Sequence, residues 1–476
     1  MKKDPVKPIE TDAQIRSNGF DEVVSVYSEQ QALDEASRCL QCKNPSCSQG
    51  CPVGIDIKKF ITEIVNKDYK AAYLTIKEKN NFPSICGRVC PAEYQCRKSC
   101  VFTKKGEPFA SAKAINIHFL ERFAADFGLK GDIAFHGHKD KSLSCFKAAV
   151  IGSGPAGLSC AGELARTGVK VTIFEALHKP GGVLRYGIPS FRLPQDVLDF
   201  EIRYLNKLGV ELQCNIIAGK TVTMDELFKQ GFDAVFLGLG AGVPSFLNIP
   251  GENLCNVYSA NEFLTRVNLM GAYKFPDYHT PVNVGSHIII IGGGNTAMDA
   301  ARVALRLQKI NGITPDVSVL YRRTENEMPA RRLEIHHAKE EGIRFDFLIQ
   351  PVEFAGDRTK GNVKFIKCRR CRLGEPDKTG RPRPVPIEGS EFTLDCDQAV
   401  IAVGLMANQV LIQATPDLRI DKYSDIVVDP ATMMTSIDAV YAGGDVVGGE
   451  GTVIEAMGMA KKAAAAIIKR FREKAR

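Results

Sequence analysis

Two kinds of hydrophobic pattern divide this chain. Between Asp56 and Lys79, and again between Ala112 and Phe127, apolar residues recur at helical spacing, as at Phe60, Ile64, Ala71 and Leu74. From residue 146 onward the pattern changes to short apolar runs that end in glycine-rich turns and lead into apolar helices. The first run, Phe146 to Ile151, meets Gly152, and a helix is predicted over Leu158 to Arg166 with a second strand over Val169 to Phe174. The sequence of strand, turn and helix returns at Ile288 to Ile291, Gly292 to Gly294 and Met298 to Leu307, followed by a strand at Val317 to Tyr321. Asp233 to Gly240 and Asp397 to Gly404 read as strands entering tight glycine turns, the two crossover points between the domains. Val440-Tyr-Ala runs into Gly443-Gly444-Asp445 before a long helix from Val453 to Phe471. The pattern predicts an α/β fold of two Rossmann-like dinucleotide-binding domains, preceded by an α-helical domain. The expected limits are 1–140 for the helical domain, 145–284 and 398–476 for the first nucleotide domain, and 285–397 for the second, inserted one.

Length and composition add little. A chain of 476 residues, 44% hydrophobic and 25% charged, suits two or three ordinary globular domains. The net charge of +7 is a weak excess at this length and does not point to nucleic acid. No apolar run reaches the roughly 20 residues that span a bilayer. Met1 to Asn18 is polar and lacks the apolar core of a signal peptide, so the expected compartment is the cytoplasm, where thiols stay reduced.

That expectation matters because of the 15 cysteines, eight of which lie between Cys39 and Cys100. Cys39, Cys42, Cys47 and Cys51-Pro52 form one group, and Cys86, Cys90-Pro91, Cys96 and Cys100 the other. A disulfide framework suits a small secreted domain rather than this chain. Structural zinc favours repeated Cys-x2-Cys pairs, and only Cys39/Cys42 has that spacing. Dense cysteine runs ending in Cys-Pro, as in Cys47-x3-Cys51-Pro52, are the pattern of iron–sulfur ligation, and two [4Fe–4S] clusters is the economical reading. A plain count of eight thiols makes Cys86 the eighth ligand.

The first glycine turn, Gly152-Ser-Gly154-Pro155-Ala156-Gly157, has the strand before it, the helix after it, and Glu175 at the distance of a ribose-binding acid. Its glycines allow a pyrophosphate close to the backbone at a helix N-terminus. With Gly444, Asp445 and Thr452 supplying a ribityl partner and a second helix N-terminus, this half is expected to bind FAD. In the second turn, Gly292, Gly294, Asn295 and Thr296 repeat the logic, but the next strand ends in Arg322-Arg323 instead of an acid. Arginine bonds a 2′-phosphate, so NADP(H) is expected over NAD(H).

Over essentially its whole length the chain resembles the NADPH-dependent glutamate synthase small-subunit family. The same module recurs in the N-terminal part of dihydropyrimidine dehydrogenase and in the large subunit of the electron-bifurcating NADH-dependent ferredoxin:NADP oxidoreductase. The resemblance rests on Cys39-Leu-Gln-Cys42, Cys47-x3-Cys51-Pro52-Val53, Cys86-Gly-Arg-Val-Cys90-Pro91, Gly187-Ile-Pro189-Ser-Phe-Arg192-Leu-Pro194, Tyr321-Arg-Arg323 and Gly443-Gly-Asp445. It implies a glutathione-reductase-like arrangement of the nucleotide domains, with Gly182 and Arg192 among the cofactor-binding residues. It also implies a wiring that spacing alone does not give. Cys39, Cys42, Cys47 and Cys100 hold one cluster; Cys51, Cys90, Cys96 and Glu121, from Ile115-Asn-Ile-His-Phe-Leu-Glu121, hold the other, and Cys86 is not a ligand.

The activity implied is a relay between NADP(H), FAD, two clusters and a redox partner, with no catalytic acid, base or nucleophile required. The partner is expected to be a glutamate synthase large subunit or a flavin subunit resembling ferredoxin–NADP reductase, with ferredoxin as a further candidate. A non-catalytic, cluster-bearing assembly subunit is the remaining reading, and the intact fingerprints argue against it. No glutaminase motif is read in the chain, so it is not expected to make glutamate from glutamine alone. Cys368-Arg-Arg-Cys371 has the spacing of a redox pair but sits in a polar stretch, which disfavours that role. Cys145, Cys160, Cys214, Cys255 and Cys396 read as isolated small apolar residues, and His336-His337 as a solvated helix face.

Overall fold

The structure is a computed structural model in which residues 4–135, 137–357, 361–377, 380–449 and 451–476 are described. The N-terminal part is helical. Helix α1 (Glu29–Ala36) opens on a capping box of Ser28 and Gln31. The expected helix over 56–79 is two, α2 (Ile57–Val65) and α3 (Tyr69–Lys79). Lys67 takes a left-handed φ of 60° between them, and Asp68 restarts the helix by accepting a bond from the Ala71 amide. Two more helices, α4 (Pro83–Val89) and α5 (Ile117–Lys130), pack against each other.

The strands and helices of the nucleotide-binding part follow in order: β1 (Lys147–Ile151), α6 (Pro155–Thr167), β2 (Lys170–Phe174), α7 (Gln195–Lys207), β3 (Glu211–Gln213), β4 (Ala234–Leu237), β5 (Ala241–Pro244) and β6 (Val257–Ser259). After them come β7 (Ile288–Ile291), α8 (Asn295–Ile310), β8 (Val317–Tyr321), α9 (Arg332–Glu340), β9 (Arg344–Phe347) and the long strands β10 (Ile349–Gly356), β11 (Val363–Pro376) and β12 (Pro382–Asp395). The chain closes with β13 (Gln398–Ile401), β14 (Leu405–Ala407), β15 (Val440–Ala442) and α10 (Val453–Lys474). Two parallel sheets result, β15-β4-β1-β2-β3 and β6-β13-β7-β8-β9. Their central strands are buried from end to end because both faces are covered, one face of the second sheet by the strands β10 and β11.

The second sheet reaches beyond the expected limits of 285–397. It takes in β6 and β13, with Ile401 paired to Ser259 on one side and Ile291 on the other. The buried run Gln398-Ala-Val-Ile needs a neighbour on each edge, and hydrogen bonding to distant segments supplies both. The two chain crossings therefore fall at β5, well before residue 284, and at β14, just after residue 398, next to the turns at Gly240 and Gly404. The two strands pair with each other antiparallel, Leu405 opposite Pro244. Strands β10, β11 and β12 form a separate antiparallel sheet. Among the described residues no helix is long and apolar enough to cross a membrane.

One apolar core runs without a break from the cysteine-bearing helices into the first nucleotide half, from Ile61 and Ile85 through Met457 to Ala161 and Val150. Within it Lys77 of α3 and Glu201 of α7 form a fully buried ion pair at 2.7 Å, under the Tyr204 ring.

Candidate functional site

The loop between α1 and α2 and the segment after Cys96 bring Cys39, Cys42, Cys47 and Cys100 around one recess, walled by Ile57, Ile61, Ile115 and Phe102. All four thiols are free. Burial pushes Cys39 up and takes Cys47 to about 11, with Cys100 close enough to each to add repulsion once ionised. Thiols so placed stay protonated until a cation compensates them. Four soft sulfur donors around an apolar recess fit an iron–sulfur cluster, which the implied wiring assigns to them.

A second set lies deeper. Burial pushes Cys51 up to about 11, with Glu121 and Cys90 as neighbouring charges, and it lifts Cys96 well above its usual value beside the same two groups and Cys51. Glu121 on α5 is 5% exposed, and burial raises its carboxyl to about 8. The Asn80 amide, donating to Glu121 Oε1 at 2.7 Å, is the one hydrogen bond that opposes this. Cys86 also sits here, hydrogen bonded with Cys90, and its sulfur is 3.7 Å from both Asn80 Oδ1 and Met457 Sδ. Three thiols and one carboxylate fit a cluster with an oxygen ligand, and Cys86 faces Asn80 and α10. Sequence reasoning missed Asn80 and Met457. Asn80-Asn81 was a visible polar interruption before Phe82-Pro83, whereas nothing local marks Met457.

At the first glycine turn, a Cβ on Gly152 (φ +94°) would stand 2.5 Å from the Gly238 carbonyl, so strand and turn close only on glycine. At Gly154, by contrast, the Cβ position meets nothing within 4 Å among the described residues beyond its own turn: the N-terminus of α6, with Pro155 and Ala156, opens onto free space that suits a pyrophosphate. Glu175, 6% exposed, accepts bonds from Ser153 N at 2.9 Å, from Ser153 Oγ and from Leu177 N at 2.8 Å, which fixes it beside the turn. Gly182 lies directly over Gly154, and Gly444 lies on Ala156 and Ala456. The carboxyl of the next residue, Asp445, is raised by burial. Thr452 caps α10 by accepting from Glu455 N. These positions converge on one cradle and fit FAD.

The second turn is built alike. Gly294 is open at the N-terminus of α8, Thr296 is exposed there, and Asn295 Oδ1 accepts from the Arg331 amide at 2.9 Å. The arginine pair divides. Arg322 is exposed at the end of β8, while Arg323 is 5% exposed and donates to the Pro382 carbonyl at 2.7 Å and Asp377 at 2.8 Å. Alternation along the strand turns one side chain out and the other under the β11–β12 hairpin, which corrects the expectation that both arginines read the phosphate. Arg192 also departs from the expected cofactor role. Its Nη1 bonds both Asp299 oxygens, at 2.8 and 2.6 Å, and its Nε lies 3.1 Å from Glu334, so its charge is committed to the second nucleotide half.

The remaining polar motifs are structural. A bulge between Arg369 and Cys371 turns both Cys368 and Cys371 into the core, where burial takes Cys368 to about 12. Cys160 and Cys396 are buried as expected, but Cys145 and Cys255 are exposed. His336 is solvated, whereas His337 is 1% exposed and faces Glu10 at 3.1 Å. Glu10, His337 and Glu340 bring ligand atoms within 4.8 Å, but Arg16, 2.7 Å from Glu340, already supplies the cation there.

Helix α10 connects the deeper cysteine set to the flavin cradle. It begins at the cradle with Thr452 and, six residues on, a Cβ on Gly458 would stand 2.8 Å from the carbonyl oxygen of Pro52, the residue after Cys51. Met457 touches Cys86 from the same turn.

Two family models match. Residues 16–133 match dihydropyrimidine dehydrogenase domain II, 4Fe-4S cluster, and residues 146–463 match pyridine nucleotide-disulphide oxidoreductase. The chain is 34% identical to the glutamate synthase [NADPH] small chain of Escherichia coli over 474 residues, 98% of this chain and 96% of that protein. It is 38% identical to the NADP(+)-dependent formate dehydrogenase subunit beta of Moorella thermoacetica, covering 90% of this chain but 60% of that one. Among solved structures, Mycobacterium tuberculosis FprA in complex with NADPH matches 69% of this chain and 85% of its own with a TM-score of 0.57 at 20% identity, a likeness of fold.

Proposed function

Since the chain belongs to the pyridine nucleotide-disulphide oxidoreductase family and to the lineage of the glutamate synthase [NADPH] small chains, we propose how its parts act together as an NADPH-dependent flavin and iron–sulfur oxidoreductase. The nucleotide halves divide at β5 and β14. Gly154, Glu175, Gly182, Gly444, Asp445 and Thr452 hold FAD, and Gly294, Asn295, Thr296 and Arg322 hold NADP(H). Cys51, Cys90, Cys96 and Glu121 hold the cluster nearer the flavin; Cys39, Cys42, Cys47 and Cys100 hold the outer one. When bound, FAD exchanges a hydride with NADP(H) and single electrons with the clusters. The protein's part is positional. Amides at the start of α6 and α8 take the pyrophosphates, Glu175 orients a ribose, Arg322 reads the 2′-phosphate, and the N-terminus of α10 favours negative charge on the flavin side. The observation that carries this reading is the contact of Gly458 and Met457 with Pro52 and Cys86, which sets the deeper thiols against the flavin helix.

The outer cysteines line a recess in the helical part, and from a cluster held there electrons would pass to a larger partner subunit. By likeness to the glutamate synthase small chains, that partner makes glutamate. Anaerobic purification through the tagged chain tests this. A glutamine-amidotransferase subunit supports glutamate synthesis; a flavin subunit resembling ferredoxin–NADP reductase replaces it with bifurcating transhydrogenation. The relay itself is tested with Cys96→Ser, which is expected to keep NADPH oxidation by a flavin-level acceptor and to lose transfer to the partner. Equal transfer in both proteins would refute the assigned route.

A further inference from the structure

The segment Ala330–Arg332, leading into α9, is bonded on both sides. Toward the nicotinamide turn, Ala330 N donates to the Gly293 carbonyl at 3.2 Å and Arg331 N to Asn295 Oδ1 at 2.9 Å. Toward the cysteine loop, Tyr94 donates to the Ala330 carbonyl at 3.1 Å, Arg331 Nη1 to the Arg88 carbonyl at 2.8 Å, and Arg332 N to Glu93 Oε1 at 3.1 Å. Arg88 and Glu93 bracket Cys90 in the chain. Three residues thus tie the nicotinamide turn directly to the loop that carries a ligand of the inner cluster, by a path that does not pass through the flavin cradle.

Arg331 is 2% exposed and is a poorly compensated cation. Its ion-pair partner Glu334 stands 3.6 Å away and also serves Arg192 at 3.1 Å and Arg302 at 2.5 Å. Arg331 Nε finds no hydrogen-bond partner among the described residues. A buried charge of this kind favours whichever state of its surroundings is more negative.

We propose that Arg331 is a positioning residue that sets the reduction potential of the inner cluster and couples it to occupancy of the nicotinamide site. The proposal rests on the reading that Cys51, Cys90, Cys96 and Glu121 hold a cluster. One-electron reduction adds one negative charge there, with no proton required, and the guanidinium stabilises the reduced state. A phosphate arriving at the turn bonded to Ala330 and Arg331 partly offsets that cation, so the reduced state becomes less favourable.

The test is an EPR-monitored redox titration of the purified holoprotein, without nucleotide and with adenosine 2′,5′-bisphosphate, which carries the phosphates and no redox-active ring. In Arg331→Gln the midpoint of one cluster is expected to fall by about 59 mV, a tenfold loss of preference for the reduced state, while the other cluster stays put. Arg331→Lys, which keeps the charge, is expected to recover most of that shift. In the unaltered protein the bisphosphate is expected to lower the same midpoint, and in Arg331→Gln to do so less. Unchanged midpoints in Arg331→Gln, or equal falls in the Gln and Lys variants, would overturn the charge role. Should Arg331→Gln fail to assemble, the Lys variant and the unaltered protein still decide: a full tenfold fall with Lys, or no response to the bisphosphate, overturns the proposal. Absence of two cluster signals in the unaltered protein would instead refute the cluster assignment beneath it.

Discussion

The sulfur of Met457, on the helix that begins at the flavin cradle, lies 3.7 Å from the sulfur of Cys86, which stands among the inner cluster residues. The two are 371 positions apart in the chain. Next to this contact Gly458 leaves the Pro52 carbonyl just enough room. Gly458→Val is expected to push the Cys51 loop off α10, costing about 1–3 kcal/mol of stability as overpacking. Stopped-flow reduction by NADPH should show the flavin bleaching normally and transfer onward slowed by up to about 10²-fold. Unchanged onward transfer would mean that this contact does not set the route.

Cys86 and Glu121 compete for one ligand role. Cys86→Ala is expected to retain the full iron and sulfide content, because its sulfur faces Asn80 and Met457. Glu121→Ala is expected to lose or convert one cluster. Chemical iron and sulfide assays with EPR read both, and loss of a cluster in Cys86→Ala reverses the assignment.

The arginine pair separates binding from folding. Arg322→Ala, which removes an exposed cation, is expected to raise the KM for NADPH roughly tenfold and to leave that for NADH nearly unchanged. Arg323→Ala breaks bonds to Pro382 and Asp377 and is expected to lower stability by about 1–3 kcal/mol and to affect both nucleotides alike. KM values for the two coenzymes and denaturant midpoints distinguish them.

An ionic cluster fixes the second nucleotide half to the rest. Glu341 is buried between Arg302, Arg306 and Arg16, with contacts at 2.8, 2.7 and 3.0 Å. Burial opposes ionisation of Glu334, but Arg192, Arg302 and Arg331 outweigh it and hold its carboxyl at about 2; the arginines around Glu341 hold that one lower still. Carboxyls depressed in the fold contribute stability that is complete above their ordinary value of 4.5 and is lost as pH falls toward 2. Glu341→Gln is therefore expected to cost about 3–5 kcal/mol near neutral pH. Its deficit in denaturant midpoint against the unaltered protein should shrink below pH 4.5, and a constant deficit would contradict the ionic role.

What the sequence made legible was local. Gly152, Gly154 and Glu175 lie within one strand–turn–helix–strand unit, so their spacing already implies their geometry, and the same holds for Gly292 to Thr296. The parts that escaped depend on distant partners. Arg192 looked like a cofactor ligand until Asp299, 107 residues on, took its charge. Arg323 is claimed by Asp377 and Pro382 on the hairpin, and His337 by Glu10 in the N-terminal segment. Strand β6 joins the second sheet only through β13, roughly 140 residues later. The cysteine spacing indicated clusters, but sorting the thiols into two sets took the family resemblance; in the structure Cys39, Cys42, Cys47 and Cys100 line one recess, while Cys86 stands beside Cys51, Cys90 and Glu121.

The most direct test of the relay runs it backward. The purified chain is reduced anaerobically until both clusters give EPR signals, freed of reductant, and mixed with NADP+ in a rapid-freeze apparatus. Both cluster signals are expected to vanish as NADPH absorbance rises, with the electrons lost from the clusters appearing in NADPH. Reoxidation of the flavin alone, with the cluster signals persisting, would contradict the proposed path between Cys51 and the flavin helix.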